Sequence, residues 1–228
     1  MKLIILAAGK GTRLLPLTEN KPKTLVEVKG KPILKYIMDS LPQDIDEVVV
    51  VVKHFRDQIE DFLRQEFNDR KIYYVEQGEK AGTFGALLSA KHLIQDGERF
   101  LVANGDDLHE TSEFIECLNH TRSMAVQKKV MPEYHDTLID DDGNFSGFKP
   151  QTAEQKIDGA LIATGTYVLD SNIFSHPGVN IGGDEYGLPQ TVIALASDFP
   201  VKVIETTGWF PINSHEDIEY ALREMISN

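Results

Sequence analysis

Two glycines, Gly9 and Gly11, and two cations, Arg13 and Lys23, stand close together near the start of the chain. They follow the apolar run Leu3 to Ala7. The string Ala7-Ala8-Gly9-Lys10-Gly11-Thr12-Arg13 is rich in small residues, so its backbone can turn sharply and come close to a ligand. Such a turn aims several backbone N–H groups at one place, which suits a phosphate. Arg13 can grip two phosphate oxygens at once, and Lys23 adds a point charge. The string is not a Walker A loop, because Lys10 lies between the glycines and not after them. Nor is it a dinucleotide fingerprint, because Leu14 stands where the third glycine is needed.

Two further stretches carry oxygen and amide chemistry. Gly105-Asp106 places a carboxylate after an apolar run, where Mg²⁺ could find one of the few carboxylates it uses beside substrate phosphates; a helix cap is the plainer role. Asp107 beside it reads as solvated, or as a contact to metal or ribose. Gln77 in Glu76-Gln77-Gly78-Glu79-Lys80-Ala81-Gly82-Thr83 offers one donor and one acceptor face, which can pair with the N3–H and carbonyl of uracil or thymine. The same segment also reads as a polar turn before a helix. The acidic run Asp140-Asp141-Asp142-Gly143 fails as a calcium loop. With Gly143 at the glycine position, Leu138 and Lys149 fall where acids are required. It reads as a solvated turn. The seven histidines include no HExxH or other close pair, which argues against zinc.

The whole opening string, AAGKGTRLLPLTENKPK, resembles the signature of the nucleotidyltransferases that act on sugar 1-phosphates, such as glucose-1-phosphate thymidylyltransferase and its uridylyl and guanylyl relatives. The resemblance implies that Ala8, Gly9, Gly11 and Thr12 hold nucleotide phosphates, and that Arg13 and Lys23 stabilise charge at the α-phosphate. Glu76 to Thr83 resembles the family's QxExxGT motif, which implies base contacts for Gln77 and Gly82, places Thr83 among the nucleotide-binding residues and favours UTP or dTTP over GTP. Gly105-Asp106 matches its GD motif, which implies Mg²⁺ on Asp106. The implied fold is α/β: a Rossmann-like, mostly parallel mixed sheet flanked by helices, with a smaller acceptor-binding sub-lobe (GT-A-like).

The second half departs from the family. Where Glu-Lys-Pro is usual the chain has Phe148-Lys149-Pro150, which keeps the lysine implied to hold the acceptor phosphate and loses the acid that binds sugar hydroxyls. Tyr134-His135 replaces Tyr-Gly. Ala163-Thr164-Gly165 replaces Asn-x-Gly and keeps Gly165, an expected acceptor contact. Trp209-Phe210-Pro211-Ile212-Asn213 replaces Trp-x-Asp-x-Gly, so the second metal ligand is either Asn213 or absent. The expected reaction is transfer of a nucleotidyl group from UTP or dTTP to a sugar 1-phosphate. Phosphocholine with CTP is the first rival, motivated by an aromatic Phe148 that could face a quaternary ammonium. A non-catalytic nucleotide-binding module is the second.

These residues need elements to position them. Leu3 to Ala7, Asp46 to Lys53 with its five valines, Ile72 to Glu76 and Phe100 to Ala103 read as buried strands. Pro32 to Leu41, Arg56 to Phe67 and Thr83 to Ile94 read as the helices between them. This alternation predicts a parallel sheet with ligands at the carboxyl ends of its strands. Beyond it, Thr111 to His120 reads as a helix and Met124 to Val130 as a strand. Leu138 to Phe148 reads as a hairpin turning at Asp142-Gly143, and Leu161 to Leu169 as a strand. Glu185 to Ala196 reads as a helix with Pro189 near its start, and Val201 to Glu205 and Trp209 to Ile212 as short strands. Ser214 to Ile226 reads as a helix capped by Ser214 with Asp217 three residues on. We expect one domain over 1–228, with a nucleotide half to about residue 110 and an acceptor half after it.

Composition sets outer bounds. With 228 residues, 41% hydrophobic, the chain can build a large core. A formal net charge of −13 argues against a nucleic-acid partner but not against a nucleotide at a local basic site. The single cysteine, Cys117, reads as a buried structural thiol. No run has the length of a signal or membrane span, so a cytoplasmic location without a membrane partner is expected. The family's C-terminal repeat domain would not fit in this length, which leaves the oligomeric state open.

Overall fold

The structure is a computed structural model that describes residues 1–224. Seven strands form the central sheet: β1 (Lys2–Leu6), β2 (Glu47–Val52), β3 (Lys71–Glu76), β4 (Arg99–Asn104), β5 (Ser123–Lys129), β6 (Ala160–Asp170) and β7 (Lys202–Glu205). Their order across the sheet is β7-β5-β6-β4-β1-β2-β3. β1, β2, β3 and β4 run parallel, with Ile4 opposite Val49 on one side and Val102 on the other. β6 is antiparallel to both β4 and β5, and β7 is parallel to β5. The expected mixed, mostly parallel α/β sheet is present.

The side-chain period of two sorts each central strand onto two apolar layers. Leu3, Ile5, Val48, Val50, Val52, Leu101 and Ala103 face one. Ile4, Leu6, Val49, Val51, Phe100 and Val102 face the other. Burial on both faces is why these strands read as continuous apolar runs and not as alternating ones. Helices α1 (Ile33–Asp39), α2 (Arg56–Glu66) and α4 (Thr111–Leu118) cover the first layer, while α3 (Gly82–Ser89) covers the second. A four-residue α5 (Gln155–Asp158) follows a hairpin of residues Asp136–Ile139 and Phe145–Lys149. α6 (Leu188–Asp198) joins the second layer and α7 (His215–Glu224) the first.

Several boundaries differ from expectation for tertiary reasons. The helix expected over Thr83 to Ile94 ends at Ser89, and a 3₁₀ turn, Lys91–Leu93, replaces its last part. The helix expected from Glu185 begins at Leu188, because Glu185–Gly187 is drawn into a hairpin with Val179–Gly182; Pro189 sits in its first turn. Pro32 lies just outside α1 as its N-cap. Trp209 to Ile212 is strand only at Phe210–Pro211, which pairs with Asp107–Leu108. That pairing makes Asp107 4% exposed, not solvated as expected. Ser214 caps α7 as expected: its Oγ accepts from Asp217 N, and Asp217 Oδ2 accepts from Ser214 N. The expected end of that helix at Ile226 lies outside the described residues. The acidic turn is a surface turn as expected, with Asp140 Oδ1 accepting from Asp142 N and Asn144 N. Cys117 is fully buried, which pushes its thiol up to about 12. Among the described residues no helix is long and apolar enough to cross a membrane.

Candidate active site

A cleft of about 740 Å³ opens at the carboxyl ends of β1, β2 and β4. The glycine turn forms one wall. Gly11 has φ +67°, and a Cβ there would lie 2.9 Å from Lys23 Cβ and 3.0 Å from Thr18 Cγ2. Glycine is therefore what lets the turn fold down onto Lys23. Thr18 Oγ1 ties it by donating to Gly11 O at 2.8 Å, and buried Leu14 anchors the short 3₁₀ turn that presents Thr12 and Arg13. A Cβ on Gly9 would meet nothing within 4 Å, so open space lies above that stretch of backbone. Ala8, Gly9, Gly11, Thr12 and Arg13 all line the cleft.

Lys23, only 9% exposed, reaches across the cleft. Its Nζ donates to Asp106 Oδ2 at 2.6 Å and to Asn213 Oδ1 at 3.1 Å. Two residues that lie 83 and 190 positions from Lys23 in sequence thus meet at its ammonium. Two oxygen donors around one cation fit Mg²⁺, which takes one or two protein oxygens and fills its shell with phosphates and water. Among the described residues there is no cluster of three or more His, Cys, Asp or Glu side chains of the kind zinc would use. Asp107, behind Asp106, points into protein: burial, and then the Asp106 charge, push its carboxyl up to about 6.

The opposite wall carries Gln77, Gly82 and Thr83. Gln77 Nε2 donates to Lys80 O at 3.0 Å and Gly82 O at 3.1 Å. Both partners are carbonyls, so the amide is oriented with Oε1 away from them and free to accept. Gly82 has φ +80°, and a Cβ there would lie 2.5 Å from Tyr186 O; the close approach lets Ala81 N donate to Asp184 O at 2.9 Å and Ala81 O accept from Tyr186 N at 2.9 Å. Thr83 Oγ1 accepts from Leu188 N at 2.8 Å.

A second cavity of about 430 Å³ adjoins the cleft, sharing Thr83 and Asn104 with it. Tyr134, Phe148 and Tyr167 contribute aromatic rings, and among the described residues no carboxylate or ammonium lines it. Gly165 lines it at the irregularity where β6 shifts register against β5. Lys149 does not reach either space. Its Nζ lies 3.4 Å from Asp136 Oδ2 and it lines a separate depression with Lys128 and Glu154. The structure thus brings together every expected site residue except Lys149.

Lys10, Lys53, His54, Asn104 and Glu185 also line the cleft without having been singled out. Lys53 and His54 follow β2 as the glycine turn follows β1, so position at a parallel strand's carboxyl end was the available signal. Burial, and then Lys10 and Lys53, push the His54 imidazole below its ordinary range. Lys10, Arg13, Lys23 and Lys53 make the cleft locally basic in an acidic chain.

Comparison with known proteins fits this geometry. The bifunctional protein GlmU of Methanocaldococcus jannaschii is 38% identical over 175 residues, covering 76% of this chain and 41% of that protein. The chain spans less than half the length of the curated relatives it matches. Among solved structures, the inositol-1-phosphate CTP transferase from T. maritima superposes with a TM-score of 0.80 at 21% identity, covering 99% of this chain and 94% of that one. A UDP-glucose pyrophosphorylase complexed with UDP-glucose gives 0.79 at 20%, covering 99% and 98%. Residues 2–181 match the Nucleotidyl transferase family. That span holds the glycine turn, Gln77 and Asp106, so the chain belongs to the nucleotidyl transferase family.

Proposed function

We propose that this chain transfers a nucleotidyl group from UTP or dTTP to a sugar 1-phosphate, releasing pyrophosphate and forming a nucleoside diphosphate sugar. The observation that carries the reading is the meeting of Lys23, Asp106 and Asn213 beside a glycine turn. An oxygen of the acceptor phosphate attacks the α-phosphorus as the bond to the bridging oxygen breaks. The attacking oxygen is already anionic, so catalysis is positioning and charge stabilisation. Arg13 and Lys23 balance charge on the α-phosphate, and the turn from Ala8 to Thr12 directs backbone N–H groups at the phosphates. Asp106 and Asn213 would hold Mg²⁺, which when bound neutralises the crowded phosphate oxygens.

The orientation of Gln77 supports uracil or thymine. Its free Oε1 can accept from a base N3–H, while cytosine carries a lone pair at N3. Gly82 and Thr83 close the base side, and Gly165 lies on the acceptor side. A CTP-dependent reading draws support from the aromatic, carboxylate-free second cavity, which could receive a quaternary ammonium such as phosphocholine.

Pyrophosphate release with Mg²⁺ tests the proposal, crossing UTP, dTTP and CTP with hexose 1-phosphates and phosphocholine. Release with UTP or dTTP and a hexose 1-phosphate is expected. Release with CTP and phosphocholine alone transfers the assignment to the second reading, and release with no pair refutes both.

A further inference from the structure

The acceptor's phosphate needs a hydrogen-bond donor on its own side of the reacting phosphorus, and Lys149 is not there. Lys149 lies directly opposite Asp136 in the hairpin ladder and its Nζ is held 3.4 Å from that carboxylate. Asp136 is itself fixed, accepting from Gln155 Nε2 at 2.7 Å and Leu161 N at 3.1 Å.

Tyr134 stands where the donor is missing. Its ring lines the second cavity, and its hydroxyl meets Asn213, which lines the first. The Asn213 amide is fixed at both ends. Its Oδ1 accepts from Lys23 Nζ, so its Nδ2 must face Tyr134, where it donates to Oη at 3.3 Å. The phenol is therefore the acceptor in that bond. Its own proton is left over, and no described residue takes it. The backbone beneath is stapled: Gln151 Nε2 donates to Tyr134 O at 2.7 Å and to Met131 O at 2.8 Å, and Tyr134 N donates to Met131 O at 3.0 Å. A rigidly held hydroxyl with a free proton, at the junction of the two cavities, is built to donate to an anion lying across that junction.

We propose that the Tyr134 hydroxyl donates to the phosphate that the acceptor brings, which becomes the second phosphate of the product. This rests on the nucleotidyl-transfer reading above. It gives Tyr134 a binding role on the acceptor side that is separate from the nucleotide.

The test is Tyr134→Phe in the full chain, which keeps the ring and removes one hydroxyl. The probes are UDP-glucose and dTDP-glucose, which carry the second phosphate and the glucose, against UMP and dTMP, which lack both. Titration calorimetry on wild type and variant should show dissociation constants for the diphosphate sugars raised about tenfold or more. Those for the monophosphates should stay within about twofold. If Tyr134 only braces Asn213 and Lys23, both kinds of ligand weaken together, and the proposal is overturned. If wild type binds UDP-glucose or dTDP-glucose and the variant matches it, the hydroxyl's role falls while the proposed function stands. If wild type binds none of the four, the proposed function fails and this inference with it.

Discussion

His109 and Glu113 form a buried ion pair behind the site, and its removal has a calculable cost. Both side chains are fully inaccessible. His109 Nδ1 lies 3.1 Å from Glu113 Oε1, which also accepts from Thr164 Oγ1 at 2.9 Å. The pair clamps α4 to the stretch of β6 around Gly165 and to the strand carrying Asp107. Burial alone would push the imidazole down; the Glu113 charge and hydrogen bond more than reverse this, so it sits above its ordinary 6.5. Burial would push Glu113 up, but His109 and the hydroxyls of Thr166 and Thr164 hold it below its ordinary 4.5. Glu113→Ala leaves an uncompensated buried histidine and should cost about 3–5 kcal/mol. For a chain of this size that lowers the melting temperature by about 6–20 °C. Glu113→Gln keeps the shape and removes the charge. The stability supplied by the His109 shift is fully present below pH 6.5 and is lost as pH rises through the raised pKa. That supplied by the Glu113 shift is present above pH 4.5 and is lost as pH falls through the lowered one. The wild-type advantage over Glu113→Gln should therefore be largest between pH 4.5 and 6.5 and shrink on either side. Urea unfolding of both proteins from pH 4 to 9 measures it, and subtraction removes groups that titrate alike in each. A difference under about 1 kcal/mol, or one that does not change with pH, would refute the assignment of a charged pair.

Lys23→Met and Asp106→Asn should each reduce turnover by about a hundredfold or more with the urea midpoint little changed; substantial turnover in both removes them from the chemistry. Gly82→Ala places a Cβ 2.5 Å from Tyr186 O at φ +80° and should destabilise by about 1–3 kcal/mol, with nucleotide KM rising because Gln77 leans on Gly82 O; unchanged stability and KM would count against the tight latch. Asp107, with its carboxyl pushed from 3.8 up to about 6, costs stability as pH rises through that window. Asp107→Asn should therefore gain on wild type between pH 4 and pH 7 in urea unfolding, and a gain that is the same at both pH values would be evidence against that shift.

The strands around the cleft were legible because burial on both faces leaves an unbroken apolar pattern, as in Val48 to Val52. The glycine turn was legible because its geometry is local: Gly11 must turn and Lys23 must close on it. What was hidden depends on partners far away in sequence. Asp107 follows another aspartate and looks solvated until Phe210–Pro211 pairs over it. Glu185 and Tyr186 carry no local sign of a strand, and they become one by pairing with Val179–Gly182 and latching onto Ala81.

Lys149 shows the same limit at the scale of one residue. As a motif, Phe148-Lys149-Pro150 invites both side chains to one site because they are neighbours. In a strand, neighbours face opposite ways. Simple alternation would set Lys149 on the face of Phe145, with Phe148 on the other. The ladder shifts register between Phe145 and Gly147, and a single extra residue inverts the faces of everything after it. Phe148 thereby joins Phe145, their ring centroids 4.8 Å apart, and lines the second cavity. Lys149 is turned away onto Asp136, its cross-strand partner. One irregularity in a surface hairpin thus decides which side chain faces the cavity. It also leaves the phosphate on that side to a hydroxyl held from another loop.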